Sequence, residues 1–268
     1  MFRSKIYFIG MGGSGIVGDL MKVILEKKKY EVNVIKDYNL PSFINKNANV
    51  FFISYSGNTY ETLSCIKQAI KRGLRKIVVV TSNGKLEQIA MKNKFKIIKV
   101  RKGLLPREAI FDMLFPLLKL FKVKFKDRNY DFSSFDFLLD IINESLRVFA
   151  ITEYYPIALR MVNQFNENCK LSFIVGSFPE VLHNQIEALT NKNILIFRNG
   201  GEKLIDAFKE VLKEKANIYE IIPKEKEFVN KIIYLLKLVD YLSIKYATKN
   251  NIDYKKTPFI DNYKALLH

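Results

Sequence analysis

KIYFIGMGGSGIVGDLMKVILEKK, residues 5–28, is the stretch that decides the fold. Residues 5–10 (KIYFIG) read as a buried strand, and 14–28 as a helix, with a glycine turn joining them. The same alternation runs on through the first half. A strand is expected near 31–36, another at 49–54 (NVFFIS), a helix at 58–72 and a strand at 76–81 (KIVVVT). A helix at 84–93, a strand at 95–101 and a helix at 106–121, opening on Pro106, complete the series. Short β-branched runs that alternate with periodic helices predict an α/β fold, its parallel sheet covered on both faces.

Residues 122–133 (KVKFKDRNYDFS) are polar and charged, the expected linker, which gives domains 1–125 and 133–268. A long helical stretch is expected over 134–166. A second strand–helix series follows: a strand at 171–176, a helix from about 179, a strand at 193–198, a helix over 203–215 and a strand at 217–222. Helices at 226–248 and 258–267 close the chain. The pattern is two doubly wound domains in tandem.

A length of 268 residues suits two domains, and 49 % hydrophobic residues suffice for packed cores. No apolar run reaches the length of a membrane helix, and the start lacks the form of a signal peptide. Two cysteines, Cys65 and Cys169, suggest a reducing cytoplasm. With only two histidines as well, no metal site is expected and no cofactor is implied. The net charge of +17 is uneven: residues 1–125 carry 24 Lys/Arg against 8 Asp/Glu, and 126–268 carry 20 against 19. The cationic clusters fall at expected helix ends, where they suit the dipole and face water. That favours a solvated surface over nucleic-acid binding and leaves room for a small anionic substrate.

Two motifs carry the chemistry. Gly10-Met11-Gly12-Gly13-Ser14-Gly15 joins a strand to a helix, where glycines let a ligand approach the backbone and free N–H groups attract an anion. By itself it also satisfies the dinucleotide fingerprint, with Asp37 at the end of the second strand as the ribose-binding carboxylate. The second motif decides against that alternative. Ser54-Tyr55-Ser56-Gly57-Asn58-Thr59 puts three hydroxyls and a glycine at another helix start, a phosphate cradle that a dinucleotide fold does not need there.

GMGGSGIVGDL, SYSGNTYETL, TSNGKLEQIA and LPREAIF, followed by PEVLHNQIEAL (179–189) and TPFIDNYKALL (257–267), resemble in order the motifs of archaeal bifunctional phosphoglucose/phosphomannose isomerases. These are sugar-isomerase (SIS) domain proteins. The resemblance implies two flavodoxin-like halves with the active site in the cleft between them. It implies isomerisation of glucose 6-phosphate or mannose 6-phosphate to fructose 6-phosphate through an enediolate. Carried over by position, Gly12, Gly13 and Ser14 contact the sugar, and Ser54, Ser56 and Thr59 hold the phosphate. Arg107 faces the enediolate, and Thr257 and Lys264 come from the C-terminal segment.

The pattern departs from the family at the proton-transfer groups. The family's base is a glutamate in His-Asn-Glu-Ile, which here reads His183-Asn184-Gln185-Ile186, and an amide does not accept that proton at neutral pH. The ring-opening histidine expected after the next strand is missing from Arg198–Lys203. Three readings follow: an isomerase with displaced groups, a catalytically silent sugar-phosphate binder, and, more distantly, a dinucleotide-dependent enzyme. On the first, Glu187 replaces the base through an irregular helix start, and His183 or His268 opens the ring. A homodimer is also expected, both from the resemblance and from the apolar stretch Phe135, Phe137, Leu138, Leu139, Ile141 and Ile142.

Overall fold

A computed structural model describes residues 5–266. The chain divides into two compact units, with the boundary between Phe125 and Lys126. His268, a candidate ring-opening group, lies outside the described residues.

The first unit runs β1 (Ile6–Ile9), α1 (Gly12–Glu26), β2 (Val32–Ile35), β3 (Asn49–Ile53), α2 (Tyr60–Lys71), β4 (Ile77–Thr81), α3 (Gly84–Lys92), β5 (Lys96–Lys99) and α4 (Ile110–Leu120). Its five strands are parallel in the order β2-β1-β3-β4-β5. β1, β3 and β4 are buried along their whole length, which is why each reads as an unbroken apolar run. One face of the sheet packs under α2 and α3 in an apolar cluster that includes Val50, Phe52, Ile66, Val79 and Leu86. The edge strand β5 shows Lys96 and Lys99 to solvent, charges that discourage pairing with another sheet.

The second unit contains α5 (Leu138–Ile141), β6 (Arg147–Ile151), α6 (Tyr155–Cys169), β7 (Ile174–Phe178), β8 (Asn193–Phe197), α7 (Lys203–Val211), β9 (Asn217–Ile221), α8 (Phe228–Lys249) and α9 (Pro258–Leu266). Its parallel sheet has the order β7-β6-β8-β9, the same winding as the first four strands of the other unit. α6 lies along α8 with a polar seam inside the contact. Arg160, 2 % exposed, and Gln164 both donate to Asp240 Oδ1, at 2.8 and 2.6 Å, and Asn168 donates to Ser243 Oγ at 3.1 Å.

Three expectations need correcting. The long helix over 134–166 is instead a 3₁₀ turn, the short α5, the strand β6, a second 3₁₀ turn and α6. A central strand buried on both faces carries no alternation, so RVFAI reads like part of a buried helix. Pro156 in the first turn of α6 marks where the helix begins. Second, the helix from 179 is two 3₁₀ turns, Glu180–His183 and Gln185–Ala188, broken at Asn184 (φ −153°, ψ −63°). The Asn184 side chain takes the Gln185 N–H at 2.5 Å, a local bond that competes with helix. Third, the apolar stretch offered as a dimer face is mostly inward, with Leu138, Leu139 and Ile142 buried and Phe137 exposed.

Candidate functional site

In open parallel sheets, ligands bind beyond the carboxyl ends of the strands where the winding reverses. In the first unit that point lies between β1 and β3, and both sequence motifs meet there. Gly12 starts α1 with φ +50° and open space where a side chain would stand. Ser14 is 8 % exposed, and its Oγ accepts the Tyr55 N–H at 3.2 Å, tying the start of α1 to the β3–α2 loop.

In that loop the Ser54 and Thr59 hydroxyls lie 2.8 Å apart, and Ser54 Oγ also takes the Gly57 N–H at 3.1 Å. Ser56 is exposed, and its Oγ accepts the Asn58 N–H at 3.3 Å. Thr59 occupies the N-cap position of α2, yet no side chain caps the helix. An uncapped helix start ringed by short hydroxyls suits a phosphate group.

The loop is held rigidly. Gly57 has φ +67°, and a Cβ there would stand 1.8 Å from Asn83 O, so only glycine fits. Its carbonyl accepts from Leu86 N at 2.8 Å, and Asn58 Oδ1 accepts from Lys85 N at 3.0 Å. Ser82 Oγ donates to Tyr55 O at 2.7 Å, while the Tyr55 phenol oxygen accepts the Leu104 N–H at 2.8 Å. This last bond fixes the segment that leads to Arg107, which is 5 % exposed in the turn before α4. Nearby, Lys36 pairs with Asp19 at 2.5 Å, and burial still holds the Asp19 carboxyl above its usual range.

The corresponding edge of the second unit is built differently. At the end of β8, Arg198 is 3 % exposed and bonded to Glu202, Asp206 and Glu220 at 2.9, 2.8 and 2.7 Å. Burial alone would lower the pKa of this guanidinium, but the three carboxylates outweigh it and raise it. Glu202 also takes the N–H groups of Asn199 and Gly200, each at 2.9 Å. Burial works against its charge, yet these bonds and Arg198 hold its carboxyl below the usual range.

After β7, Gln185 is half-buried over Gly176. A Cβ on that glycine would lie 2.4 Å from Val181 Cγ1 and 3.1 Å from both Nε2 and Oε1 of Gln185, so the strand is bare to admit both side chains. Gln185 Oε1 is sealed from solvent with no hydrogen-bond partner. Glu187, two residues on in the same 3₁₀ turn, is exposed. At three residues per turn it points well away from Gln185. The irregular winding is therefore present, but it does not turn Glu187 inward. His183 is exposed as well, and Asn184 Nδ2 donates to Glu180 Oε1 at 2.9 Å. In the C-terminal segment Thr257 is half-buried, with its carbonyl accepting from Asp261 N at 2.9 Å, and Lys264 is exposed on α9.

Residues 3–103 match the SIS domain, and residues 139–267 match the bacterial phospho-glucose isomerase C-terminal SIS domain. The bifunctional phosphoglucose/phosphomannose isomerase of Aquifex aeolicus is 30 % identical over 98 % of this chain and 90 % of its own length. The chain belongs to the SIS family. Another relative, the D-glucosamine-6-phosphate 4-epimerase of Sulfolobus acidocaldarius, is 27 % identical over 98 % of this chain and 89 % of that protein. In fold, the glucosamine-6-phosphate deaminase of Thermotoga maritima superposes with a TM-score of 0.71 at 16 % identity, over 95 % of this chain and 88 % of that one.

Within this SIS chain the structure gathers Gly12, Ser14, Ser54, Ser56 and Thr59 at one sheet edge. It leaves Glu187, His183 and Lys264 on open surface. Sequence reasoning missed three features. Tyr55, inside the quoted motif, is a strut rather than a ligand. Thr62, in the first turn of α2, is 1 % exposed with its Oγ1 unpartnered. Tyr154 and Lys231 join Asn199 across long stretches of sequence. Motif spacing gives no sign of the last two. The glutamate of Thr59-Tyr60-Glu61-Thr62 draws the eye to capping instead.

Proposed function

We propose that this chain is an aldose–ketose isomerase that interconverts glucose 6-phosphate or mannose 6-phosphate with fructose 6-phosphate through an enediolate. The observation that carries the reading is the Ser54–Thr59 hydroxyl pair at the uncapped start of α2, braced by Ser14. On this reading Ser54, Ser56 and Thr59 hold the phosphate, and Gly12, Gly13 and Ser14 line the sugar. Arg107 stabilises the enediolate charge, and Thr257 and Lys264 are the residues carried over from the C-terminal segment. On this reading the base is Glu187, which must swing inward from its exposed place on the Gln185–Ala188 turn when substrate binds, with the exposed His183 assisting proton transfer. The relatives support the substrate class, since both are named for phosphorylated hexoses or hexosamines. The two free, buried cysteines fit a cytoplasmic setting. Among the described residues, no helix is long and apolar enough to cross a membrane.

A homodimer is part of the proposal, and α9 now supports it in place of the buried α5 stretch. Phe259, Tyr263 and Leu266 share one helix face and are 87, 58 and 87 % exposed. Light scattering should give twice the chain mass at micromolar concentration, and Phe259→Ser with Leu266→Ser should halve it.

A second reading, a silent sugar-phosphate binder, is favoured by Gln185, whose amide stands where the family pattern has its base. The two readings share the phosphate site and part at Glu187. Hexose 6-phosphates should raise the melting temperature where free hexoses do not. Loss of turnover in Glu187→Ala with that shift retained supports the isomerase and its base. A shift unchanged by Ser56→Ala plus Thr59→Ala removes the phosphate assignment.

A further inference from the structure

In the second unit the winding reverses between β6 and β8, so the loops after those strands border its ligand-binding edge. Tyr154 closes the 3₁₀ turn after β6, and Asn199 opens the loop after β8. The Tyr154 hydroxyl donates to Asn199 Oδ1 at 2.6 Å, bridging the two loops. Lys231 Nζ donates to the same oxygen at 2.8 Å. Burial pushes the Tyr154 phenol pKa up, so it remains a donor and fixes the asparagine. With two donors on its oxygen, Asn199 holds Lys231 in one place while other ammonium hydrogens remain available.

Lys231 sits at the start of α8, where the helix dipole disfavours a cation. Among the described residues it forms no ion pair, and its one side-chain partner is Asn199. It is half-buried. The loop beyond Asn199 carries no side chain at two positions: a Cβ on Gly200 would touch only Ile222, at 3.6 Å, and one on Gly201 would meet nothing within 4 Å. A half-buried, unpaired, tethered ammonium beside open space at a switch point is placed for a ligand.

We propose that Lys231, positioned by Asn199 and Tyr154, is the acid–base group that opens the sugar ring. The inference rests on the isomerase reading, because hexose phosphates are closed rings and an enediolate forms only from the open chain. As the C1–O5 bond breaks, its electron pair goes to O5, which takes a proton from the Lys231 ammonium. The O1 proton passes to the amine so formed while C1=O1 forms, and Lys231 ends as it began. Lys231 is the catalytic group of this step, and Asn199 and Tyr154 are positioning residues.

Ring opening is measured without isomerisation, as exchange between the α and β anomers of glucose 6-phosphate by magnetisation transfer. The full-length wild type should accelerate that exchange over buffer. Lys231→Met should lose about a hundred-fold of it, the usual worth of a positioned acid–base group, while fructose 6-phosphate still stabilises the protein. Lys231→Arg keeps the charge but releases no proton near neutral pH, so it should fail equally. Tyr154→Phe should lower kcat for exchange and leave KM unchanged, a split that a merely structural tyrosine would not give. If Lys231→Met does not fold by circular dichroism, Lys231→Gln takes its place. A wild type that does not accelerate exchange, or a folded Lys231→Met or Lys231→Arg that exchanges like wild type, overturns the proposal. Anomer exchange lost in Lys231→Met from a wild type that never exchanges the C2 proton upholds ring opening and refutes isomerisation instead.

Discussion

The β3–α2 loop of the first unit and the β8–α7 loop of the second occupy the same place in the same strand order, and they treat an anion oppositely. The first offers Ser54, Ser56 and Thr59 around a helix start that no side chain caps. The second supplies its own anion: the Glu202 carboxylate takes two backbone N–H groups of the loop and the Arg198 guanidinium. A winding that gathers N–H groups at one sheet edge creates a demand for negative charge in both units. In one, hydroxyls leave that demand to a ligand. In the other, a glutamate takes two loop N–H groups within the chain, although the start of α7 has no side-chain cap either. The contrast recurs deeper down, since the first unit packs α2 and α3 on an apolar cluster while the second threads Arg160, Gln164 and Asp240 between two helices.

The largest effect should come from breaking that internal pairing. Asp240→Ala leaves Arg160 buried without its carboxylate and should cost about 3–5 kcal/mol in denaturant unfolding. Next is Gly57→Ala, where strain and a backbone clash should cost about 3 kcal/mol or more and abolish sugar-phosphate binding. Its counterpart Gly201→Ala meets open space, so only the left-handed φ counts, about 1–2 kcal/mol.

Glu202→Gln removes the built-in anion and should cost about 1–3 kcal/mol at neutral pH. Its sign with pH follows from the lowered folded pKa. The wild-type contribution is complete above the unfolded carboxylate value of about 4.3 and is lost as pH falls through the lower folded value. Melting curves of wild type and variant should therefore converge in acid. The smallest stability effect belongs to Ser56→Ala with Thr59→Ala, under about 1 kcal/mol, although it should erase the hexose 6-phosphate shift.

How much of this was legible in the sequence depended on how local the signal was. β1, β3 and β4 announced themselves as short apolar runs ended by glycine or serine turns. β6 did not, because Val148–Ile151 is apolar on both faces and no glycine turn marks either end of the strand. SYSGNT was readable as a phosphate cradle because its hydroxyls lie within six residues. The Tyr154–Asn199–Lys231 cluster was not, since its members are 45 and 32 residues apart and meet only through the sheet winding. Gln185 was legible as a departure, but the sealed state of its Oε1 over Gly176 belongs to packing alone.

The central claim is tested most directly by exchange of the C2 proton of glucose 6-phosphate with solvent D₂O, followed by proton NMR on the wild-type protein. Isomerisation through an enediolate requires deuterium at C2 together with the appearance of fructose 6-phosphate. No deuterium at C2, under conditions where the same sugar phosphate raises the melting temperature, would contradict the isomerase account and leave a protein that only binds its sugar.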